Sequence, residues 1–278
     1  MSAGKSIIDS HCHLQDPKFD GEHEAVVQRA REAGVSTLVV VGYDVESSRS
    51  AVHLAESSDN VYAAVGVHPH DAKTLTPFDV NALVRLTEHP RVVAIGEIGL
   101  DFYRNLSPPD RQRHAFLEQL DLARSLGLPV VIHARDADEE TFDILSDYAE
   151  SVKTERTQDR PLGVMHCFAG ALPLALRYIE LGLLISIAGT VTYPNAESTR
   201  AVARGIPPHS MVVETDAPYL TPHLRRGQRN EPAYIIETTR FIADLRGEPF
   251  EVIAESTSSN ATRLFALDHV PQPAGERP

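Results

Sequence analysis

Residues 92–101, Val-Val-Ala-Ile-Gly-Glu-Ile-Gly-Leu-Asp, decide the fold. The apolar run Val92–Ile95 predicts a strand that is buried on both faces, as in a parallel sheet. The run leads into two carboxylates, Glu97 and Asp101, each beside a glycine that leaves the backbone free to adapt. A carboxylate at the end of a buried strand is costly unless it is ion-paired or binds a metal. The stretch therefore predicts a strand that delivers acids to a polar site.

Seven other apolar runs share this plan of a short, mostly β-branched segment bounded by glycine, proline or a polar residue. The eight predicted strands are Ser6–His11, Thr37–Gly42, Val61–His68, Val92–Asp101, Pro129–Arg135, Gly163–Phe168, Leu183–Gly189 and Met211–Asp216. Helical periodicity fills the gaps, which gives roughly 30 residues per strand–helix unit. Eight such units predict an α/β protein, a single-domain (β/α)8 TIM barrel over residues 1–278, with its site at the C-terminal ends of the strands. An open doubly wound sheet is the alternative, but polar residues end nearly every strand and no phosphate-binding glycine fingerprint is present.

Two helix boundaries have clear sequence signals. Glu22–Ala33 carries an apolar face and ends before Gly34, a residue suited to a left-handed C-terminal cap. Ser107 followed by Pro108 predicts an N-cap and a proline in the first turn of the next helix.

The sequence also predicts the structure of the segments outside the repeating units. Helices at 233–246 and 248–259 are expected to close the barrel after the eighth strand. Lys153–Arg160 reads as a polar insertion in a solvated loop, and residues 270–278 are expected to form a flexible tail.

Composition restricts the class of protein. The 278 residues carry a net charge of −13, which argues against broad, non-specific attraction to nucleic acid. An anionic substrate is still allowed, because bound metals and a few arginines can reverse the field inside one cleft. No apolar run approaches a membrane span, and no signal peptide precedes the first strand, so we expect a cytoplasmic protein that does not bind membranes. The two cysteines, Cys12 and Cys167, fit a reducing compartment and are expected to be small buried residues.

The predicted strand ends carry the side chains that bind divalent metals. The candidate ligands are His11, His13, Glu97, His133, His166 and Asp216. His11 and His13 share one face of a strand, about 6.6 Å apart, which suits two ligands on one ion. Imidazole favours zinc, manganese or iron over magnesium. Two-metal sites hold their ions about 3.5–4 Å apart, and Glu97 is the candidate carboxylate to bind both.

Further polar residues at the same ends are candidates for catalysis. Asp216 is predicted both to bind metal and to take a proton from an activated water. Glu214 shares its face and is either another ligand or the partner of one. Asp9 is expected to buffer or orient a histidine. His68 and His70 are catalytic candidates that bind substrate phosphate or assist proton transfer, and Asp101 either contributes to the site or holds Arg104 or a loop.

Cationic and aromatic side chains near these ends are candidates for substrate binding. Arginine matches phosphate oxygens, and the loop after strand eight is where barrels often bind phosphate. The arginines concerned are Arg104, Arg135, Arg225, Arg226 and Arg229, of which Arg135, Arg225 and Arg229 are the principal candidates. Phe168, Tyr103, Tyr193 and Tyr219 are candidates to stack on bases, with Phe168 and Tyr103 preferred.

Six sequence blocks, in order, together resemble the TatD-type metal-dependent hydrolases from residue 7 to about residue 267. The blocks are Asp9-Ser10-His11-Cys12-His13-Leu14, Gly66-Val67-His68-Pro69-His70, Gly96-Glu97-Ile98-Gly99-Leu100-Asp101, Ile132-His133-Ala134-Arg135, His166-Cys167-Phe168-Ala169-Gly170 and Glu214-Thr215-Asp216-Ala217-Pro218-Tyr219-Leu220-Thr221-Pro222. Residues 226–232, Arg-Gly-Gln-Arg-Asn-Glu-Pro, match the loop that follows in the family. Ala169 and Ala217 stand where serine is common, and the 151–161 insertion and the tail are longer than usual, which affects substrate fit rather than metal binding.

The resemblance implies a barrel of the amidohydrolase type and a divalent-metal deoxyribonuclease, often a 3′→5′ exonuclease, with the six candidate ligands and a shared Glu97. The leading hypothesis is thus a hydrolase of phosphodiester bonds in single-stranded DNA or DNA ends. It would use two divalent ions per chain, magnesium or manganese for activity with zinc possible, and no obligate protein partner. Two alternatives remain: a two-metal hydrolase of a small amide, ester or acylated-tRNA bond, and a non-catalytic metal-binding scaffold.

Overall fold

The structure, a computed structural model, describes residues 6–154 and 160–267, and its eight parallel strands pair in sequential order. The strands are β1 Ile7–Cys12, β2 Val35–Val41, β3 Val61–Val65, β4 Val92–Asp101, β5 Val130–Arg135, β6 Gly163–Met165, β7 Leu183–Ile187 and β8 Met211–Val213. The helices are α1 His23–Ala33, α2 Val45–Ser57, α3 Pro77–Thr87, α4 Pro109–Leu126, α5 Asp138–Val152, α6 Leu172–Glu180, α7 Glu197–Gly205, α8 Ile235–Arg246 and α9 Phe250–Phe265. The expected tail and most of the polar insertion lie outside the described residues.

The sheet closes between its first and last strands. The backbone N–H of Asp216 donates to the carbonyl of His11 at 2.9 Å, and that of His13 donates to the carbonyl of Ala217 at 2.7 Å. The sequential strand order and this closure confirm the predicted (β/α)8 barrel, because an open doubly wound sheet would reverse its order at a switch point.

Two apolar layers surround the strands. The barrel interior is filled by side chains such as Ile8, Tyr62 and Val131, and an outer layer lies between the strands and the helices. Residues near the end of α9, among them Leu264 and Phe265, pack into the interior cluster. Other α9 side chains hydrogen-bond at the starts of β1 and β8, so this helix covers the N-terminal end of the barrel. Only the C-terminal end is left for a site.

The local predictions had mixed outcomes. Gly34, with φ of 98°, caps α1 as expected. The N-cap prediction for Ser107 is wrong: Pro108 holds that position, and the Ser107 hydroxyl donates to the His70 carbonyl at 2.7 Å and accepts from the Lys73 N–H. Among the described residues, no helix has both the length and the apolar character that a membrane crossing requires.

Three strands end three residues earlier than predicted, so several candidate site residues follow strands rather than lie in them. β3, β6 and β8 end at Val65, Met165 and Val213. Cys167 and Asp216 have φ of 43° and 55°, left-handed conformations that turn the chain out of the sheet. The peptide bonds Gly96–Glu97 and Ala217–Pro218 are cis.

Candidate metal centre

A bulge in β4 positions Glu97. Ile95 pairs with Val130 and Ile98 with Ile132, so β4 contains one residue more than β5 over this stretch. Gly99 has φ of 140°, and a Cβ placed on it would lie 2.0 Å from the carbonyl oxygen of His133. Glycine is needed there because the two backbones are in close contact. The result is a Glu97 side chain, 3% exposed, among histidines at the mouth of the barrel.

One group of ligand atoms surrounds Oε2 of Glu97. The Nε2 atoms of His11 and His13 lie 3.6 and 3.8 Å from this oxygen. Oδ1 of Asp216 lies 3.7 Å from Nε2 of His11 and 3.3 Å from Nε2 of His13. The two Nε2 atoms are 3.2 Å apart. Two imidazoles and two carboxylates thus converge on one small volume.

A second group surrounds the other oxygen of the same carboxylate. Oε1 of Glu97 lies 2.9 Å from Nδ1 of His133, 3.3 Å from Nε2 of His68 and 3.6 Å from Nε2 of His166. The structure therefore brings all six predicted ligands together, with Glu97 common to both groups. His68, predicted from a turn, lies in the second group.

The ring tautomers fit metal ligation. Nδ1 of His13 lies 2.8 Å from the carbonyl oxygen of Val41, which only accepts, so Nδ1 carries the proton and Nε2 presents a lone pair to the site. Nδ1 of His166 lies 2.9 Å from Oε1 of Glu214, an ion-pair contact rather than a well-aligned hydrogen bond, and its Nε2 faces Glu97 and Asp216. Histidine ligands usually have such a partner on the second ring nitrogen. The donor set of imidazoles and carboxylates thus fits divalent cations.

The electrostatics of the site favour cations. Burial opposes ionisation of Glu97, but the nearby imidazoles of His68 and His166 and hydrogen bonds from His133 and His68 outweigh it and hold the pKa of Glu97 well below its usual range. Burial opposes protonation of His166, but Glu214 and Glu97 outweigh burial and raise the pKa of His166 to about 10. Glu97 therefore stays ionised, and without a metal the His166 ring holds a proton.

Glu214, whose role the sequence left open, lies behind His166. Besides its contact with that ring, Oε1 accepts from the backbone N–H of Cys167 at 2.8 Å. Oε2 accepts from the hydroxyl of Ser186 at 2.6 Å. Both oxygens are therefore engaged by groups around the ligands, which is the arrangement of a carboxylate that orients a ligand.

The expectation that Asp9 orients a histidine ring is wrong. Its carboxylate accepts from the backbone N–H of Thr215 at 2.9 Å, from the Thr215 hydroxyl at 2.6 Å and from the His11 backbone N–H at 3.3 Å. A register shift in β1 between Asp9 and Cys12 breaks the simple alternation on which the expectation rested. Burial raises the pKa of Asp9 to about 8.

Asp101 holds two histidines and a loop. Its Oδ2 lies 2.8 Å from Nε2 of His70 and 3.1 Å from Nε2 of His133, and its Oδ1 accepts from the Arg104 N–H at 2.7 Å. Burial opposes ionisation, but these hydrogen bonds keep the pKa of Asp101 far below its usual value. The loop contact was foreseen. The contact with His133 was missed, although Asp101 pairs with Arg135 in the sheet and so lies next to His133.

Asn230 is a positioning residue that sequence reasoning missed. It is fully buried, and its amide donates to the carbonyls of Thr215 and Tyr219 at 2.8 and 2.6 Å. The next residue, Glu231, forms a bidentate ion pair with Arg29 of α1. The sequence signal for Asn230 is the Arg-Asn-Glu-Pro stretch at residues 229–232, which matches the family's loop but does not by itself indicate what Asn230 does.

Two predicted substrate-binding residues lie together at the mouth. The guanidinium of Arg135 lies 3.8 Å from the centre of the Tyr103 ring, and Tyr103 is 60% exposed. Phe168 is 7% exposed, and its ring packs against Tyr178. Whether any of the three contacts substrate stays a prediction.

The other two predicted substrate-binding arginines form ion pairs. Nε of Arg225 lies 2.7 Å from a carboxylate oxygen of Glu237, and Nη2 of Arg229 lies 3.0 Å from one of Glu22. Their role toward substrate also stays a prediction.

Comparisons with known proteins agree with the geometry. A family model described as TatD related DNase matches residues 8–266. An uncharacterized metal-dependent hydrolase of Bacillus subtilis, YabD, is 40% identical over 263 residues, which cover 94% of this chain and all of the relative. A protein of Klebsiella pneumoniae named 3′-5′ ssDNA/RNA exonuclease TatD is 36% identical, with 94% and 98% covered.

A solved structure is similar over nearly the same range. The crystal structure of YjjV, a TatD homologue from Escherichia coli, superposes with a TM-score of 0.87 at 34% identity and covers 95% of this chain and 99% of its own. The family match and these relatives extend over nearly the whole chain, including every candidate ligand. The chain therefore belongs to the TatD family of metal-dependent hydrolases.

Proposed function

We propose that the protein is a deoxyribonuclease that removes nucleotides from the 3′ end of single-stranded DNA or DNA ends. The observation that carries the proposal is that the two carboxylate oxygens of Glu97 face two separate groups of ligand atoms. Two relatives support the substrate class: those from Klebsiella pneumoniae and Erwinia tasmaniensis are both named 3′-5′ ssDNA/RNA exonuclease TatD.

The proposed ligands divide between two ions. His11, His13 and Asp216 would hold one ion, His133 and His166 the other, and Glu97 would bind both, as their contacts with the two oxygens of Glu97 and with one another suggest. Magnesium or manganese is proposed for activity, with zinc as the alternative that the histidines favour. Bound there, the ions would stabilise negative charge on a phosphate. They would also lower the pKa of a bound water to near neutrality.

The chain's own residues complete the chemistry. Asp216 is a carboxylate at the mouth, 8% exposed, and is placed to accept the proton of the attacking water. Burial lowers the pKa of His68 to about 4, so this ring is neutral at neutral pH. Nδ1 of His68 accepts from the backbone N–H of His70 at 3.1 Å, which leaves the proton on Nε2, facing the site. This N–H faces Oε1 of Glu97 at 3.3 Å, and we propose that it would donate to a phosphate oxygen once Glu97 binds the ions.

His70 is proposed to act at the outer edge of the site. Its side chain is 29% exposed, and Asp101 fixes the ring through Nε2. A ring held in this way can contact the phosphate that enters the mouth. Arg135, which is exposed and pairs in the sheet with Asp101, would neutralise that phosphate.

The proposal is tested with single-stranded oligonucleotides labelled at either end, incubated with the purified protein and manganese or magnesium. We expect a 3′ label to appear at once as mononucleotide, a 5′ label to appear as a descending ladder, and a chelator to stop both. His133→Ala should abolish cleavage. His209→Ala should not, because His209 is exposed before β8, at the other end of the barrel. Elemental analysis should find about two ions per chain.

The result that overturns the proposal is equally specific. Wild-type protein that holds metal, but cleaves no DNA and behaves like His133→Ala, would exclude a deoxyribonuclease. Turnover of a small amide or ester by the same sample would then favour the alternative hydrolase class.

A further inference from the structure

Three cation–tyrosine pairs around the mouth of the barrel differ from the Arg225–Tyr234 pair there, because among the described residues their cations have no ion-paired carboxylate. We propose that they form a binding track for a single-stranded nucleic acid, an inference that rests on the proposed function and specifies how its substrate is held. The pairs are Lys18 with Tyr219, Arg135 with Tyr103, and Arg226 with Tyr193.

The first pair borders the candidate ligands. Nζ of Lys18 lies 4.2 Å from the centre of the Tyr219 ring. The Tyr219 hydroxyl donates to a carboxylate oxygen of Asp16 at 2.6 Å, which fixes the ring, and the residue is 44% exposed. The ring centres of Tyr219 and His13 are 6.2 Å apart. A base on this ring would therefore place its neighbouring phosphate close to the metal centre.

The second pair joins the last residue of β5 to the loop that follows β4. Arg135 is two residues beyond His133, and its guanidinium covers one face of the exposed Tyr103 ring. The backbone N–H of Phe102 donates to the Arg135 carbonyl, so the sheet pairing holds the two residues side by side.

The third pair joins the loops that follow β7 and β8. Cζ of Arg226 lies 5.3 Å from the centre of the Tyr193 ring. The Tyr193 hydroxyl donates to the carbonyl of Thr221 at 3.1 Å. Thr221 is two residues beyond Tyr219, so this bond places the first and third pairs on adjoining parts of the rim.

The charges of the three pairs indicate an anionic partner. Within the described part of the chain, none of these three cations has a carboxylate within ion-pair distance, whereas Arg225 and Arg229 in the same loop are both ion-paired. Unpaired cations at the mouth of a protein with net charge −13 provide a local positive region. Cations bind phosphates and exposed tyrosine rings stack on bases, so each pair offers what one nucleotide presents.

The rings select for single strands. A duplex keeps its bases stacked inside, where rings on a rim cannot reach them, whereas a single strand can place bases on tyrosine faces. Recognition of a small amide or ester requires neither a phosphate-binding cation nor a stacking ring. The track therefore predicts that affinity grows with strand length, and that thymidine 5′-monophosphate, which fills one pair, competes weakly.

The test measures binding without cleavage. Anisotropy of a fluorescent 12-mer of thymidylate is recorded in excess chelator over a range of salt, for wild type and for the combined variant Lys18→Gln, Arg135→Gln, Arg226→Gln. Each lost phosphate contact should reduce the slope of log affinity against log salt by about 0.7, and three by about 2. Tyr103→Leu and Tyr193→Leu should each weaken binding about fivefold or more. Thermal denaturation checks that each variant is folded.

The control is Arg240→Gln. Arg240 lies over the ring of Phe250 on the helical shell, so this change removes the same charge and the same kind of ring contact away from the mouth. It should leave both binding and slope unchanged. Elemental analysis after incubation with manganese reports on the metal centre and should find the same number of ions per chain in wild type and the combined variant.

The outcomes separate the two proposals. If the combined variant binds the 12-mer with the affinity and salt slope of wild type, or if duplex binding falls as much as single-strand binding, the track is excluded even when cleavage occurs. If the combined variant loses binding but wild type cleaves no polynucleotide with metal present, the track holds and the nuclease proposal fails.

Discussion

Asp9 binds Thr215 through both carboxylate oxygens, although the two residues are 206 positions apart. The bond to the Thr215 hydroxyl is 2.6 Å long and the bond to its backbone N–H is 2.9 Å. This pair joins β1, which carries His11 and His13, to the segment after β8, which carries Asp216. The first ligand group is therefore assembled from the two ends of the chain by this contact and the barrel closure beside it.

The first prediction concerns this contact. Thr215→Val keeps the shape of the side chain but removes the hydroxyl donor, so a buried acceptor on Asp9 loses its partner. We expect the free energy of unfolding to fall by about 1–3 kcal/mol and manganese affinity to fall about tenfold or more. Calorimetric titration and denaturant unfolding measure the two effects. Thr74→Val, at an exposed threonine, should change stability by less than about 0.5 kcal/mol. Normal metal affinity in Thr215→Val would contradict a positioning role.

The second prediction concerns the carboxylate behind His166. Glu214→Gln keeps the size of the side chain but removes the charge beside Nδ1 of His166, so the ring loses its orientation and some of its basicity. Metal affinity should fall about 10- to 100-fold. Ser186→Ala, which removes the hydrogen bond to Oε2 and a 3.4 Å contact with the Ser10 hydroxyl but leaves the carboxylate charge, should have a smaller effect. Equal metal affinity in wild type and Glu214→Gln would show that Glu214 does not support the ligand.

The third prediction concerns the close contact between β4 and β5. Gly99→Ala would place a methyl group 2.0 Å from the backbone oxygen of His133, at a φ of 140° that alanine rarely adopts. We expect a loss of more than about 4 kcal/mol of stability, or no folded protein. Gly127→Ala is the control: its φ is 64° and no atom lies within 4 Å, so it should cost only about 1–2 kcal/mol. Similar unfolding curves for the two variants would refute the steric explanation.

The fourth prediction concerns pH. Without a metal, His166 has a pKa of about 10, because Glu214 and Glu97 outweigh the effect of burial. The pKa of His133 is also raised, because its hydrogen bonds to Asp101 and Glu97 outweigh burial. A cation binds only the neutral ring, so binding must release protons and affinity must rise as pH rises from about 6 to about 9.

Calorimetric titration with manganese in buffers of different ionisation heat counts these protons. We expect release of about one proton or more per chain near pH 7. Fewer protons should be released by Glu214→Gln, because removing the carboxylate lowers the pKa of His166. Affinity independent of pH would contradict this account.

The sequence predicted the barrel and the candidate ligands for one physical reason. Polar residues such as Glu97 and His133 interrupt runs of apolar residues, and the C-terminal ends of parallel strands meet at one end of a barrel. The order of the strands, and the convergence of the polar residues at their ends, then follow from the alternation of strands and helices along the chain. Bulges are less visible, and the register shift in β1 redirected Asp9 from a histidine ring to Thr215.

Side-chain partners could not be predicted in the same way. Ser107 has the sequence context of an N-cap, but its hydroxyl bonds to the turn at His70. Arg225 and Arg226 are neighbours of the same type, yet only Arg225 meets a carboxylate, that of Glu237 on the following helix. Such partners depend on helix orientation and on small distances, which composition and periodicity do not encode.

The helix that covers the N-terminal end of the barrel limits how a polymer can move. Leu264 and Phe265 fill the N-terminal end of the barrel interior, so the barrel is closed at that end. No strand can be threaded from one side to the other. Under the proposed exonuclease activity, each released nucleotide would leave through the same opening by which the strand entered, so product release and strand advance would have to alternate there.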